Sequence, residues 1–555
     1  MTGRTLPIIV GVTGHRDLRP EDVPALTEAV RGIFEQFRGK YPSTPLVLLT
    51  ALACGADQLV ARVAKSMGIA YRVPMPLPEQ EYRKDFQGSD ATDFDELLAA
   101  ADEGYFVGFV GDNDAGNVGD ANRRARQYAE SGAYIARISH VLIALWNGKP
   151  TDAIGGTARV VQYRLDGAPE PYRAPIGLLD APNTGPVYQV VTPRKSDPLT
   201  DLAAGTLVLR TGSYDGTTEG ALPERFNRIE QFNSDAQRFG SDHPGVRATT
   251  RFREVAAELA NHYQSDFHRS LDAITVTSVV AALALIAAHS IAETYLLTLL
   301  YCVLVLVAVV CYYVASRGLW QNKFIEYRAL EMGLAVQENW DLAGVKESVG
   351  NFYLRLQRSE LDWIRDAIRT VYHLDPCTSF DGKGGVAAVR AFVTGQLDFF
   401  RRTARRNTRD FDRFEIAARV AFWAIALPLT IALAATAIGH VVSGQPETHC
   451  PPIAFGSTCV SEWLINGIAL ATVTVAVCAE YPRRRAFHAQ ARRYRVMSGL
   501  YARALKVLDD AKDAPLDAQV RTSQEVIREI GREALAENGD WLMIHRELPI
   551  ELLHI

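Results

Sequence analysis

Three short runs carry residues whose types and spacing suit the binding of a phosphate. The first is Gly11-Val12-Thr13-Gly14-His15-Arg16. Glycines let a backbone approach a ligand closely, a helix start offers free N–H groups, and His and Arg add charge. The second run is Ala53-Cys54-Gly55-Ala56-Asp57-Gln58, and the third is Trp146-Asn147-Gly148 followed by Gly155-Gly156-Thr157-Ala158-Arg159. The first run fits neither GxGxxG nor GxxxxGK[ST], and alone it reads equally well as a plain tight turn. His15 by itself is more often an orienting or packing residue than a base, and Asp57 has the bland reading of a helix cap. Three such runs at strand ends are less easily accidental. The candidate ligand-binding set is therefore Gly11, Thr13, Gly14, His15, Arg16, Gly55, Ala56, Asp57, Trp146, Gly155, Gly156 and Thr157.

These runs need strands to carry them, and residues 1 to 195 alternate strand and helix patterns of the kind that build a mainly parallel sheet covered by helices. Leu6 to Val12 is an apolar β-rich run, followed by a helix pattern from about Glu21 to Gly39. Pro45 to Leu52 leads into the second run and a helix ending near Met67, while Tyr71 to Met75 and Val141 to Trp146 read as further strands. Ligands of such sheets sit outside the carboxyl ends of the strands, where all three runs fall. Seven prolines between 165 and 200 mark a loop-rich edge, and residues 196 to 254 show little periodicity, reading as a linker or an insertion.

The 555 residues are too many for one hydrophobic core. With 59 Lys and Arg against 64 Asp and Glu, the net charge of −5 offers no global basic excess for nucleic acid. Seven cysteines, at 54, 302, 311, 377, 450, 459 and 478, show no metal-ligand spacing.

Four stretches are apolar over the roughly 20 residues that a bilayer requires: Ala273 to Ser290, Thr294 to Ala315, Val420 to Val442 and Val460 to Ala479. They form two hairpins. The second stretch alone holds twelve Leu, Ile, Val or Phe residues, which contribute about −4 to −7 kcal/mol towards insertion. Arginines 401, 402, 405, 406, 409 and 413 precede the third stretch and 483, 484, 485, 492, 493 and 495 follow the fourth, whereas neither connecting loop has a Lys or Arg. Basic residues stay on the cytoplasmic side, so a multi-pass protein of the cell membrane with both ends in the cytoplasm is expected. Cys450 and Cys459 then share the outer loop, as a disulfide or as two free thiols. No charged residue lies mid-segment, which disfavours an ion-coupled carrier and favours a bundle, pore or anchor.

Asp266-Phe267-His268-Arg269 before the first hairpin and Asp410-Phe411-Asp412-Arg413 before the second mark the two halves as a repeat, each running on into helix-favouring sequence. The expected architecture is a Rossmann-like α/β domain (1–195), a linker or insertion (196–254), and an all-α membrane part with one hairpin in 255–397 and another in 398–555, each with cytoplasmic helices.

The Gly11–Arg16 run, Thr50-Ala51-Leu52-Ala53-Cys54-Gly55-Ala56-Asp57 and Gly155-Gly156-Thr157 together resemble the motif series of the SLOG superfamily, Rossmann-like domains akin to DprA and the LOG proteins. The hairpin portion, including its closing Trp541-Leu542-Met543-Ile544-His545-Arg546, is similar to the SLATT-type membrane modules of bacterial conflict systems. The resemblance implies a domain that senses a nucleotide or NAD-derived signal and a membrane module that disrupts or permeabilises the bilayer in anti-phage defence; a homo-oligomer is expected as well. LOG enzymes carry P-G-G-x-G-T-x-x-E with a catalytic glutamate, and that position here is Val160, with Asp152, Ala153 and Ile154 in place of Pro-Gly-Gly. The resemblance therefore implies binding without hydrolysis and no required cofactor. Asp57 or Glu79 could supply an acid from elsewhere, which keeps a membrane-anchored nucleotide hydrolase or N-glycosidase as the alternative, and a non-binding membrane scaffold as the third reading.

Overall fold

A computed structural model describes residues 3–173, 183–212, 221–290, 295–354, 361–375, 382–443 and 487–546. Two compact units emerge: residues 1–259, 329–338 and 346–378 form one, and residues 260–328, 339–345 and 379–555 the other.

The first unit is built on a seven-stranded sheet in the order β4-β3-β2-β1-β5-β6-β7. Its strands are β1 (Ile8–Gly14), β2 (Leu46–Leu49), β3 (Ala70–Met75), β4 (Glu103–Phe106), β5 (Val141–Trp146), β6 (Val187–Val191) and β7 (Leu207–Arg210). All pairings are parallel except that of β6 with β7. Parallel strands require helical crossovers, here α1 (Val23–Lys40), α2 (Ala56–Ser66), α3 (Glu79–Tyr82), α4 (Ser89–Ala99), α5 (Ala121–Ile138) and α6 (Thr157–Asp166). The chain steps outward from β1 to β4, then returns through α5 to place β5 on the other side of β1. That reversal is the switch point at which ligands of such sheets bind.

Local sequence explains the elements. Leu26, Val30, Ile33, Phe34 and Phe37 give α1 one buried stripe at helical spacing. Asp120 caps α5 by accepting N–H bonds from Asn122 and Arg123 at 3.0 Å each. β5 is apolar and buried throughout, and β1 is buried from Ile8 to Val12, because both faces of the sheet are covered. The Rossmann-like expectation is met, and β4, β6 and β7 extend the sheet beyond the strands that the apolar runs mark.

Residues 196–254 do not act as a linker: they supply β7 and α7 (Ala221–Phe239) to this same unit. The side chain of Asn233 shows why. Fully buried in α7, it accepts the Leu6 N–H at 2.7 Å and donates to the Leu6 carbonyl at 2.8 Å and to Thr44 Oγ1 at 2.9 Å. The weak periodicity of this stretch reflects a four-residue edge strand and a helix held partly by polar contacts. The 1–195 boundary fails on the far side too, since α11 (Asp362–Leu374) belongs to this unit, with Arg225 paired to Asp362 at 2.8 Å and Asp366 at 3.7 Å. The expected 255–397 domain is thereby divided, because helices read as an accessory to a hairpin have an amphipathic face that packs elsewhere: Trp363, Ile364, Ile368 and Val371 of α11 are buried.

The second unit is helical. It includes the later part of α8 (Ala248–Ser290), α9 (Tyr295–Arg317), parts of α10 (Trp320–Leu342), α12 (Gly382–Ser443), α13 (Phe487–Asp510) and α14 (Leu516–Arg546). Phe400 packs on Tyr494 and Tyr501 to join α12 to α13, and Trp340 donates to the Ile527 carbonyl at 3.2 Å. Trp340, like Tyr353 and Trp363 in the first unit, is therefore core.

Among the described residues two helices are long and apolar enough to cross a membrane, and they cover the first expected stretch as far as Ala288 and the second from Tyr295 onward. Only 17% and 6% of their apolar windows are buried, which leaves a long apolar surface exposed on each helix. Val420 to Val442, the third expected stretch, lies in the C-terminal part of α12 and is not among them. The fourth, Val460 to Ala479, together with Cys450, Cys459 and the arginines at 483–485, lies outside the described residues.

If α7 is integral to the first unit, Asn233→Ala leaves the buried Leu6 N–H and carbonyl unpaired and lowers stability by about 2–4 kcal/mol. Chemical denaturation of the detergent-solubilised chain, followed by tryptophan fluorescence, reads this loss; an unchanged transition would restore the linker.

Candidate functional site

At the carboxyl end of β1, His15 fixes the loop. Its N–H donates to the Leu145 carbonyl of β5 and its carbonyl accepts from the Ala56 N–H of α2, both at 3.0 Å. Its ring Nε2 accepts the Asn147 N–H, also at 3.0 Å. One residue thus ties together the loops after β1, β2 and β5. Burial, followed by the Arg194 charge, holds the His15 pKa below its ordinary value. A ring that accepts a backbone N–H is neutral at that nitrogen, so His15 positions the loops and supplies no cation to a phosphate.

The glycines divide by role. Gly55 has φ of 81°, and a Cβ there would lie 2.4 Å from the Arg16 carbonyl oxygen. A Cβ on Gly14 would meet the Ala56 Cβ at 2.3 Å. Both are required for the β1 loop to sit against the start of α2. Gly11 lies within β1, where a Cβ would strike Ser139 Oγ at 2.2 Å, so its place is the packing of α5 on the strand rather than a ligand contact. Thr13 is likewise a strand residue, opposite Ala144. Trp146 is buried, donates to the Lys149 carbonyl at 3.0 Å and lies under the Arg210 guanidinium at 5.3 Å, which braces the β5 loop.

Four of the expected residues come together at the surface of this end. Arg16 is exposed and its guanidinium stands 5.1 Å over the ring of Tyr128 in α5. Gly155 is packed against the same tyrosine, since a Cβ on it would lie 2.9 Å from the Tyr128 Cβ. Gly156 precedes α6 without a side-chain cap, and Thr157 opens the helix with no acidic residue in its first turn. The N-terminal N–H groups of a helix carry partial positive charge. Arg16 and the start of α6 thus flank one ring, an arrangement that favours an anion between them.

Beneath them Asp57, only 6% exposed, occupies the first turn of α2. Burial pushes its pKa up to about 7, against the opposing pull of Arg16 and of hydrogen bonds from the Ala53 and Ala51 backbone. Burial and Asp90 raise the Cys54 thiol to about 11, which leaves it protonated and un-nucleophilic. An open cleft of about 520 Å3 adjoins Arg16 on the side of α1 and α2, with Arg31, Arg62, Asp90 and Lys195 on its walls.

Sequence reasoning missed the supporting ring. Tyr82 donates to the Ala51 carbonyl at 3.0 Å and packs edge-on to Tyr128, whose hydroxyl donates to Asp85. Arg124 bridges Asp85 at 2.6 Å and Glu81 at 3.0 Å. Only the Arg123-Arg124-x-Arg126 cluster in α5 hinted at them in the sequence. Val160, in the place of the LOG glutamate, is buried against Gly132 in the interface of α5 and α6. A carboxylate there would point into the core rather than the cleft. Among the described residues no group of three or more His, Cys, Asp or Glu could hold a metal ion. No family model matches this chain, and no curated protein matches it.

Asp57 holds its proton more tightly folded than unfolded, so its contribution to stability is complete below about pH 4 and disappears as pH rises through about 7. Asp57→Asn therefore raises the melting temperature at pH 8, with the difference from wild type shrinking towards pH 4. The gap at pH 8 corresponds to at most about 4 kcal/mol. Parallel pH dependence in both proteins would show that Asp57 is not the buried acid.

Proposed function

We propose that this chain is a ligand-regulated membrane effector, in which a nucleotide-type anion binds at the switch point between Arg16 and the Gly155-Gly156-Thr157 turn. The observation that carries this reading is the convergence of the loops after β1, β2 and β5 through His15, with Arg16 left exposed above Tyr128. A nucleotide offers the two things that arrangement accepts: phosphate charge for Arg16 and the helix start, and a planar base for the open cleft beside them.

The membrane part in this reading has four spanning helices in two hairpins, with both chain ends in the cytoplasm and the chain assembled as a homo-oligomer. Two exposed apolar helices support the first hairpin, and the distribution of arginines supports the second. The resemblance to SLOG and SLATT modules supplies the setting, bacterial anti-phage defence, in which the ligand is a nucleotide or NAD-derived signal. Ligand must bind the resting and active states with different affinity for the membrane to respond. The four-helix part then opens a leak or disrupts the bilayer.

One observation favours a second reading. A buried carboxyl whose pKa is pushed to about 7, beside an arginine at a ligand cleft, is suited to general acid–base work. A membrane-anchored nucleotide hydrolase would use Asp57 in that role.

The full chain in detergent, titrated with mononucleotides, NAD and ADP-ribose by calorimetry with product analysis, separates the two. The effector reading predicts binding without turnover, reduced at least about tenfold by Arg16→Glu and abolished by Gly156→Glu. Turnover lost in Asp57→Asn would establish the hydrolase, and absence of any binding leaves a scaffold. In cells expressing the chain, the binding ligand is expected to depolarise the membrane; a constant potential would end the pore mechanism.

A further inference from the structure

The first unit holds a second cavity, walled by helices and loops. It measures about 320 Å3 and is walled by the C-terminal half of α5, by residues 167–173 and 346–351, and by α11. On α5 it extends from Glu130 to Ile138.

Its charges do not balance. Arg137, Arg173, Lys346 and Arg369 line it against Glu130 and Glu347. Glu130 is already committed to Arg137 at 3.1 Å. Arg369 bonds Asn351 Oδ1 through Nε at 3.0 Å and reaches Asp366 at 3.5 Å, but that aspartate is shared with Arg225. A helix C-terminus would ordinarily contribute negative potential here. Arg164 covers that end, donating to the Ala136 carbonyl at 3.2 Å and to the His140 carbonyl at 2.7 Å. The positive groups therefore press on one another. Burial first, and then Arg365, hold the Arg369 guanidinium down to about 10, and burial followed by Arg137, Arg369 and Arg72 holds the His373 ring down to about 3. An anion in the cavity would relieve this repulsion in a medium that screens it poorly.

The volume is far larger than one phosphate needs and falls at the lower end of the range for organic ligands. Tyr134, Tyr372 and the neutral His373 ring supply flat apolar walls. We propose that this cavity is a second ligand site, which takes a small phosphorylated ring compound and is independent of the site at the switch point.

Phenyl phosphate serves as a ring-bearing probe and inorganic pyrophosphate as a ringless one, each titrated into the full chain in detergent at low ionic strength. Phenyl phosphate is expected to bind wild type and Arg16→Glu alike. The double variant Arg173→Glu/Lys346→Glu is expected to lose about tenfold or more in affinity while melting no lower than wild type without ligand. Arg369→Gln is expected to lose binding too, and because it also disturbs Asp366, Lys346→Gln alone provides the milder version, weakening binding measurably with no change in fold. Pyrophosphate is expected to bind more weakly than phenyl phosphate, since it leaves the ring walls bare. Loss of phenyl phosphate binding in Arg16→Glu with full retention in the double variant would overturn the proposal, as would absence of binding at millimolar probe. Failure of nucleotides at the switch point leaves these outcomes unchanged, so the two sites stand or fall separately.

Discussion

Everything at the carboxyl edge of the sheet depends on how closely the turn after β1 approaches the start of α2. Gly14 and Gly55 both lack the space for a Cβ, and Gly55 also takes a left-handed backbone conformation that other residues adopt at a cost. Because the approach is so tight, the His15 carbonyl reaches the Ala56 N–H and its N–H reaches Leu145. The ring is then placed where it must accept from Asn147. A charged His15 would lose that bond and face burial, so the site's exposed cation at this turn is Arg16. The loops are held by neutral hydrogen bonds and the ligand side is left with the charge.

This constraint also explains which parts of the site were legible in the sequence. Glycines with no room for a side chain leave a mark, and the three loops were found where apolar runs end in Gly-containing turns. The division of labour inside each run left none. Gly11 and Gly14 sit three residues apart and look alike in sequence, yet one faces Ser139 across a strand and the other faces Ala56 across a loop. His15 reads as a phosphate ligand until β5 is known to be its neighbour. Tyr128 is remote in sequence from all three loops, and nothing local marks it as the ring beneath Arg16.

The same limit governed the domain boundaries. The sheet announced itself through β1, β2, β3 and β5, whose apolar runs are long or continuous. β4 and β7 have four residues each and are only partly buried, so their pattern carries little signal. The segments that complete the unit, α7 and α11, are tied in by Asn233 and by the pairing of Arg225 with Asp362 and Asp366. Polar contacts between residues more than a hundred positions apart have no periodicity to read. Membrane helices are the opposite case, since their signal is composition alone and survives without any knowledge of partners.

The Arg16 site and the second cavity both touch α5: Tyr128 stands under Arg16 near the middle of the helix, and Arg137, in a lining that begins at Glu130, stands near its C-terminus. Nine residues separate them, which at the helical rise is roughly 14 Å. That distance exceeds the Debye length at physiological ionic strength, about 8 Å, so direct repulsion between an anion beside Arg16 and one beside Arg137 is weak. Communication between them has to be mechanical. A close-packed helix transmits displacement along its axis but accommodates little bending, and α5 is fixed to the sheet by Ser131, which donates to the Pro74 carbonyl at 2.9 Å, between Tyr128 and Arg137. Coupling of the sites would therefore require α5 and β3 to move together as one body. A side-chain rearrangement at either end alone would stay local.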